Sequence, residues 1–215
     1  MCVQDVFFDV TRIIEVVYDA IMILVVGLGN PGEKYASTRH NIGWWLLEYV
    51  QSSLNFSDWR SEKKFQAEVS QGKVEEHEVV LFKPQIFMNN SGNAVSVAVA
   101  EYTPDEVVVI HDDIDLPLGM LRVSYDRGAG GHNGVQSIID TLQTTTFTRM
   151  RIGIAPVSDT GEVIKPAVVE SFVLKEFSSA DQEVFEEKKE LYRKALETII
   201  TKSVVVAMNE CNVTS

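Results

Sequence analysis

The sequence has few cysteines, no long apolar run and an N-terminus without a basic segment. Its two cysteines, Cys2 and Cys211, stand at opposite ends of the 215 residues. This spacing excludes a disulfide framework or a cysteine-based zinc site and favours a reducing cytoplasm. No apolar run approaches the roughly 20 residues that a membrane-spanning helix needs. Because Asp5 and Asp9 occupy the N-terminal stretch, we expect no export signal.

Positive charge is also scarce. Lysine and arginine number 19 against 31 aspartates and glutamates, which gives a formal net charge of -12. A field of this sign repels nucleic acids. The acid is unevenly spread, however, because residues 119–156 contain more arginines than acidic residues. They contain Arg122, Arg127, Arg149 and Arg151 against Asp126 and Asp140. A local basic face is therefore compatible with the acidic chain.

What is present is typical of one globular α/β domain. Hydrophobic residues make up 45% and charged residues 23% of the chain, close to the averages for folded domains. The apolar run ILVVG after Met22 predicts a strand buried on both faces that ends in a glycine loop. Further strands are predicted over 65–71, 78–82, 106–110, 121–125 and 150–154, and helices over 41–54, 91–102, 133–142 and twice after Ser178. A loop is predicted over 111–118. Such alternation indicates an α/β fold.

Residues 1–21 differ from the rest of the chain. Apolar residues recur there at helical spacing, with Asp5, Asp9 and Arg12 between them, which predicts an amphipathic helix. The alternative is that translation begins at Met22 and that this stretch is an upstream extension of the reading frame. Both interpretations stay open at this point.

The loop after the first strand carries GLGNPG, which fits the dinucleotide motif G-x-G-x-x-G. A dinucleotide site needs a helix that begins inside the motif, so that its N-terminus meets the pyrophosphate. Pro31 disfavours helical geometry at Asn30. The acidic residue expected about 20 residues later at a strand end is missing, since Glu48 falls inside a predicted helix. We therefore do not expect a nucleotide cofactor.

A histidine and a carboxylate stand at the ends of two predicted strands. His40 follows the glycine loop, and a histidine that titrates near neutral pH suits the activation of water. Asp112 follows the strand 106–110 and is placed to hold an imidazole. His40 could instead cap the following helix, and Asp112 could cap a turn. His111 with Asp112, Asp113 and Asp115 could also bind a divalent ion, although no second ligand cluster supports a metal.

Three asparagines share the same strand-to-helix loops. Asn89 and Asn133 stand at predicted helix starts, where an asparagine can simply be an N-cap. An amide also offers both a donor and an acceptor, which suits recognition of an ester carbonyl and of its developing oxyanion. The glycines within 128–131 would let the backbone approach a ligand closely. We expect Asn30, Asn89 and Asn133 to frame His40.

Together these segments resemble the bacterial peptidyl-tRNA hydrolase family. The matching elements are VVGLGNPGEKYASTRHNIG, FKPQIFMNNSG, HDDIDLPLG, GGHNG and MRIGI, in family order. The similarity covers residues 22–209 and leaves 1–21 as an extension and 210–215 as a tail. It implies a single α/β domain with a twisted mixed β-sheet flanked by helices. It also implies a cytoplasmic monomer, without metal or organic cofactor, that cleaves the ester between the peptide and the 3′ ribose of peptidyl-tRNA.

The resemblance assigns roles to the candidate residues one by one. His40 matches the catalytic base of the family and Asp112 the carboxylate that orients it. Asn30 and Asn89 match residues that hold the substrate at the scissile ester. Asn133 matches a residue that positions the water and the end of the tRNA.

Further positions are assigned to substrate binding in the same way. Tyr35 and Met88 match residues that line the site. Arg151, in MRIGI, matches a position that grips tRNA phosphates, as the forked donors of a guanidinium allow. We expect Arg122 to be a second phosphate contact.

The chain departs from the family pattern beside the site. Ile86 stands where the family usually has threonine, and Ser124 replaces a basic residue that often precedes the glycine-rich loop. The alternative function is that of a binding protein, since plastid proteins of this fold act in intron splicing through RNA and partners. Such proteins carry a transit peptide that is rich in arginine and poor in acid, unlike residues 1–21.

Overall fold

A computed structural model describes residues 20–212 of the chain. The N-terminal extension predicted over 1–21 lies outside the described residues except for Ala20 and Ile21. The last three residues of the predicted tail also lie outside them. The structural statements that follow concern residues 20–212.

Residues 20–212 form one seven-stranded sheet and six α-helices. The strands are β1 (Met22–Gly27), β2 (Arg60–Glu62), β3 (Ala67–Val74), β4 (His77–Pro84), β5 (Glu106–Pro117), β6 (Leu121–Tyr125) and β7 (Thr148–Ala155). The helices are α1 (Ile42–Ser53), α2 (Ser91–Tyr102), α3 (Asn133–Leu142), α4 (Val169–Val173), α5 (Ser179–Thr201) and α6 (Val204–Cys211). None of these helices combines the length and the apolar character needed to span a membrane.

The sheet is mixed, as the resemblance implied. Its order is β2-β3-β4-β1-β5-β7-β6. The four inner strands β4, β1, β5 and β7 run parallel, whereas β2 and β3 at one edge and β6 at the other run antiparallel to their neighbours. Since β1 pairs with β4 on one side and with β5 on the other, the loop after β1 opens between two neighbouring loops. Open α/β sheets bind ligands in such a crevice at the carboxyl ends of the strands.

Helices cover both faces of the sheet. Ile23 and Val25 of β1 pack in the core that contains residues of α1, α5 and α6, while Leu24 and Val26 pack in the core that contains residues of α2 and α3. Successive side chains of a strand point to opposite faces, so an inner strand with two covered faces is apolar throughout. This arrangement explains the continuous apolar run that begins at Ile23.

Most predicted elements are confirmed, but the loop predicted over 111–118 is wrong. The strand β5 continues through this segment to Pro117 and pairs with β7 as far as Asp113, then again at Pro117 after an irregularity. The segment is rich in acidic residues, which are rare in strands. It stays extended because β7 satisfies its backbone, and because Asp112 and Asp113 each find a partner on a different side of the strand.

Hydrogen bonds connect the end of the C-terminal helix α6 to the edge strand β6. The helix α6 continues through Cys211, two residues beyond the expected end of the domain at residue 209. Just after it, the side-chain amide of Asn212 accepts a hydrogen bond from the Val123 N–H and donates one to the Val123 carbonyl, both at 2.9 Å. These two bonds mimic a strand partner and cover part of the free edge of β6.

Glycines bring α1 against the loop after β1. A Cβ atom added at Gly43 would lie 2.6 Å from the Ile110 carbonyl oxygen and 2.6 Å from the Leu28 nitrogen. One added at Gly27 would lie 2.6 Å from the Gly43 oxygen. The first helix begins only at Ile42, after two short 3-10 turns. The first glycine of GLGNPG therefore serves the close packing of a helix, and no helix starts inside the motif to receive a pyrophosphate.

We predict that Gly43→Ala destabilises the fold. The new methyl group would be forced into backbone atoms, and overpacking of this kind costs about 1–3 kcal/mol. Urea unfolding should show a lower midpoint with an unchanged slope. The matched control is Gly128→Ala, because a Cβ atom there would meet nothing within 4 Å. Equal stability of the two variants would contradict the close approach of α1.

Candidate active site

The centre of the site is a hydrogen bond between His40 and Asp112. Asp112 lies in the middle of β5, two residues past Ile110, which pairs with the last residue of β1, and it is 3% exposed. His40 lies in the 3-10 turn just before α1. The two atoms His40 Nδ1 and Asp112 Oδ1 are 2.7 Å apart. Because an ionised carboxylate only accepts, Nδ1 carries the proton and donates it. The lone pair of His40 is then on Nε2.

A second histidine donates to the same carboxylate oxygen. The distance from His132 Nε2 to Asp112 Oδ1 is 3.0 Å. His132 Nδ1 accepts hydrogen bonds from the backbone N–H groups of Gly134 and Val135, at 3.2 and 3.3 Å. These bonds assign the proton to Nε2 and the lone pair to Nδ1, which is the neutral form of the ring. His132 is therefore both the N-cap of α3 and a partner of Asp112.

The two imidazoles keep the buried carboxylate ionised. Burial would by itself raise the pKa of Asp112, but the favourable electrostatics of the His40 and His132 rings, whose N–H groups both point at Oδ1, outweigh it. The pKa of Asp112 therefore lies well below its usual range. An ionised carboxylate at this position can stabilise the imidazolium that forms when His40 accepts a proton.

A third histidine packs beside the pair and stays neutral. His111 is 2% exposed, and its ring contacts the ring of His132 with 4.6 Å between centroids. Its Nδ1 donates to the Asp112 carbonyl at 2.7 Å, while its Nε2 has no hydrogen-bond partner among the described residues. Burial first, and the nearby His132 second, hold the pKa of His111 well below its usual range.

The distances around Asp112 are those of hydrogen bonds. His40, Asp112 and His132 each offer one atom to a group that spans 4.8 Å, which is the only cluster of three metal-type ligands among residues 20–212. Two ligands of a tetrahedral zinc at about 2.0 Å each would lie about 3.3 Å apart. The 2.7 Å between His40 and Asp112 is shorter than that and leaves a proton, not an ion, between them.

Asn30 is held rigidly at the end of β1. Its Oδ1 accepts from the Met88 N–H at 2.8 Å, which assigns the orientation of the amide because that partner can only donate. Asn41 clamps the backbone of Asn30 from both sides, as its side chain accepts from the Asn30 N–H at 2.9 Å and donates to the Asn30 carbonyl at 3.0 Å. The amide NH2 of Asn30, which lines the cleft, has no partner among the described residues.

Asn89 and Asn133 are not N-caps. The residue before α2 is Asn90, and the capping side chain of α3 belongs to His132. Both Asn89 and Asn133 are exposed at the wall of the cleft, and neither side chain makes a hydrogen bond within residues 20–212. Two amides are therefore available to a ligand beside the His40 ring.

One cleft of about 900 Å³ collects seven of the predicted site residues, which are Asn30, Tyr35, His40, Met88, Asn89, Asp112 and Asn133. Tyr35 meets Phe87 edge to face, with ring centroids 6.4 Å apart, and Phe87 is 55% exposed at the opening. The lining also includes apolar side chains of α4, among them Val169 and Val173. The cleft thus combines apolar walls with a polar floor.

Two predicted phosphate contacts do not line the cleft. Arg151 Nε donates to Asp113 Oδ2 at 2.6 Å. Asp113 lines the cleft and Arg151 does not, so Arg151 contacts the cleft wall through Asp113. Arg122 donates to the Asn212 carbonyl at 3.1 Å, on the outer edge of β6. Arg151 is therefore adjacent to the cleft, whereas Arg122 is tied to the C-terminal segment.

Sequence reasoning missed His132, Phe87 and Asn41. The signal for His132 was its place directly before the predicted helix 133–142, where an N-cap is expected, but Asn133 is the more usual capping residue. Phe87 is the first residue of the FMNN segment and follows Ile86, so the sequence pattern indicates one more core aromatic. Asn41 follows His40 in the sequence and acts only through the distant Asn30 backbone, which no local pattern reveals.

Comparison with known proteins agrees with this geometry. The model of the peptidyl-tRNA hydrolase family, described as "Peptidyl-tRNA hydrolase", matches residues 24–215. A peptidyl-tRNA hydrolase of Dichelobacter nodosus is 40% identical over 189 residues, which are 86% of this chain and 96% of that protein. One from Sulfurihydrogenibium is 36% identical over 87% of this chain and 96% of its own length.

Solved structures show the same fold. The crystal structure of peptidyl-tRNA hydrolase from Acinetobacter baumannii superposes with a TM-score of 0.78 at 31% identity, and the match covers 89% of this chain and 94% of that one. The family match favours the hydrolase over the splicing-related binding protein. Its extent and the coverage of the relatives leave one conclusion, that the chain belongs to the peptidyl-tRNA hydrolase family and is a hydrolase of that type.

Proposed function

We propose that His40 is the general base of this hydrolase and that Asp112 orients and stabilises it. The observation that carries the proposal is the 2.7 Å hydrogen bond from His40 Nδ1 to the buried Asp112, in a cleft that also holds three asparagine amides. With Nδ1 committed to the carboxylate, Nε2 is the nitrogen that can take a proton from water.

The reaction begins when water attacks the ester carbonyl. As its oxygen bonds to the carbonyl carbon, water gives a proton to His40 Nε2, and Asp112 stabilises the imidazolium. The carbonyl oxygen becomes an oxyanion. The NH2 groups of Asn30 and Asn89 are the donors that stabilise it, because the Asn30 oxygen is already occupied by the Met88 N–H.

The tetrahedral intermediate then collapses towards products. The bond between the carbonyl carbon and the 3′ oxygen of the ribose breaks, and the imidazolium of His40 returns its proton to that oxygen. The products are a tRNA with a free 3′ hydroxyl and a peptide carboxylic acid, which keeps the second proton of the water until it releases that proton to solvent. Asn133, at the first turn of α3, positions the water and the tRNA end.

The walls of the cleft favour a peptide over a free amino acid. Phe87 and Met88 give an apolar wall next to amide side chains that can pair with a peptide bond. A free aminoacyl ester would bring a charged ammonium group to this surface, where a peptide brings a neutral amide. Selection for a blocked amino group follows from this difference.

We also propose that the protein acts as a cytoplasmic monomer without a metal ion. The base His40, its partner Asp112 and the three asparagine amides all meet in one cleft of a single chain, so these residues need no second copy to come together. The base is oriented by Asp112 and His132, so the water can be activated without a Lewis acid.

Hydrolysis of N-acetyl-aminoacyl-tRNA, beside unblocked aminoacyl-tRNA and with a chelator present, tests the proposal. We expect the intact protein to cleave the blocked substrate and His40→Ala to lose about 10²–10⁴-fold in kcat while it still binds tRNA. The matched control is His77→Ala, since His77 begins β4 at the opposite end of the sheet. Equal loss of binding and turnover would refute the assignment of His40 as the base. Binding of tRNA by the intact protein without hydrolysis would instead support the RNA-binding alternative.

Asn89→Ala should slow the chemical step. Loss of one oxyanion donor reduces kcat about 10²–10³-fold. The matched control is Asn93→Ala, an exposed asparagine of α2 that does not line the cleft. Steady-state kinetics with the blocked substrate measures both variants. A rise in KM at constant kcat would show that Asn89 only binds the substrate.

The stability difference between the intact protein and Asp112→Asn should depend on pH. The folded pKa of Asp112 lies below the unfolded value of about 3.9, so the ionised carboxylate contributes stability above that pH. The contribution is lost as the pH falls through the lower folded pKa. Urea unfolding at several pH values should therefore show a gap that narrows below about pH 4. The matched control is Asp159→Asn, at an exposed loop position. A gap for Asp112→Asn that stays constant with pH would exclude the pKa shift.

A further inference from the structure

Four arginines lie within residues 119–156, and three of them are engaged by the protein itself. Arg122 donates to the Asn212 carbonyl, Arg149 donates to the Gly128 carbonyl, and Arg151 is paired with Asp113. Arg127 forms no hydrogen bond or ion pair with any residue in the described range 20–212. It is also exposed. Within this segment Arg127 is thus the arginine whose full set of donors is available to a ligand.

The backbone around Arg127 is fixed on both sides. On one side, Asp126 adopts a left-handed conformation with φ of 49°, and its Oδ1 accepts from Thr145 Oγ1 at 2.5 Å. On the other side, the Gly128 carbonyl accepts from Arg149 Nη1 at 2.7 Å. A non-glycine residue at positive φ is uncommon and persists only where its surroundings hold it. The backbone of Arg127 therefore has a fixed conformation, and its side chain extends from that loop into solvent.

The residue that holds the Gly128 carbonyl is itself a buried arginine, Arg149. Arg149 is 4% exposed, and it lies on β7 under the loop that carries Arg127. Burial first, and Arg151 second, lower the pKa of Arg149, and Arg127 acts in the same direction. Three guanidinium groups therefore share one corner of the molecule. Asp113 is paired with Arg151 and also opposes the shift of Arg149, whereas Arg127 forms no ion pair within residues 20–212.

This corner adjoins the cleft. Ala129, Gly130 and Gly131 follow Arg127 after one intervening residue, Gly128, and form part of the cleft wall with Asn133. When the ester on the 3′ ribose of a peptidyl-tRNA lies beside His40, the rest of the tRNA must leave the cleft along one of its walls. Its phosphates then pass over that wall. The wall at 129–131 leads back to Arg127, a guanidinium without an ion pair among residues 20–212, in a chain whose overall charge of -12 repels phosphate elsewhere.

We propose that Arg127 binds a phosphate of the RNA portion of the substrate as it leaves the cleft, and so supplies the cation that the neutral Ser124 does not. The inference rests on the proposed function, because it takes the acceptor end of a tRNA as the ligand. A guanidinium suits a phosphodiester, since its forked donors match two phosphate oxygens. Arg151 contributes less, because a phosphate must compete with Asp113 for it.

The test compares Arg127→Gln with Arg60→Gln. Both replace an exposed arginine by a neutral side chain of similar length, but Arg60 lies on β2, at the opposite edge of the sheet from β6. Binding of deacylated tRNA is measured over a range of salt concentrations, and hydrolysis of N-acetyl-aminoacyl-tRNA is measured in parallel. Thermal unfolding checks that both variants stay folded.

Arg127→Gln should weaken tRNA binding roughly tenfold at low salt and raise KM by a similar factor, with kcat unchanged. The slope of log affinity against log salt should fall by about 1. Arg127→Lys should keep most of the salt dependence, because it keeps the charge. If Arg127→Gln matches Arg60→Gln in both affinity and slope, Arg127 does not contact a phosphate.

Failure of this inference is distinguishable from failure of the proposed function. If the intact protein hydrolyses the blocked substrate and Arg127→Gln binds tRNA normally, only the inference about Arg127 is overturned. If the intact protein binds tRNA without hydrolysis, the proposed function fails, while a reduced salt slope in Arg127→Gln would still support the phosphate contact.

Discussion

A buried negative charge at Asp112 governs the arrangement of the site. An unpaired carboxylate in this position would cost several kcal/mol, so the two imidazole N–H groups that reach Oδ1 are obligatory partners. They come from different places, His40 from the segment between β1 and α1, and His132 from the segment between β6 and α3. A single oxygen atom therefore fixes the relative positions of three strand ends. The glycines that let α1 approach the sheet serve the same geometry.

Much of the site could be predicted from the sequence because its residues stand directly after apolar strands. The strand ending at Gly27 leads to Asn30 and His40, and the strand that begins at Glu106 carries Asp112. Parallel neighbouring strands place such residues at one edge of the sheet, so chain order and residue chemistry were enough to collect them. The prediction of an α/β fold is confirmed for the same reason, since continuous apolar runs indicate strands that are covered on both faces, whereas the mixed order of the sheet was implied by the family resemblance.

What the sequence could not supply were contacts between distant segments. The extension of β5 beyond Ile110 depends on pairing with β7, and local propensity for the acidic stretch points the other way. The partner of Arg122 is at the end of α6, 90 residues away along the chain. The capping role of His132 was also hidden, because an imidazole is an unusual N-cap and the neighbouring asparagine fits the common pattern.

The fixed amide of Asn30 gives the cleft a chemical polarity. Because the Met88 N–H occupies its oxygen, flipping the amide would set one N–H against another and leave a buried donor unsatisfied. The side chain therefore cannot adapt to whatever enters. Its NH2 group can donate to a carbonyl, sulfonyl or phosphoryl oxygen that reaches this point, whereas an N–H donor placed there would find no acceptor on this side chain. An inhibitor that contacts Asn30 therefore needs an acceptor atom placed opposite the NH2 group of this side chain.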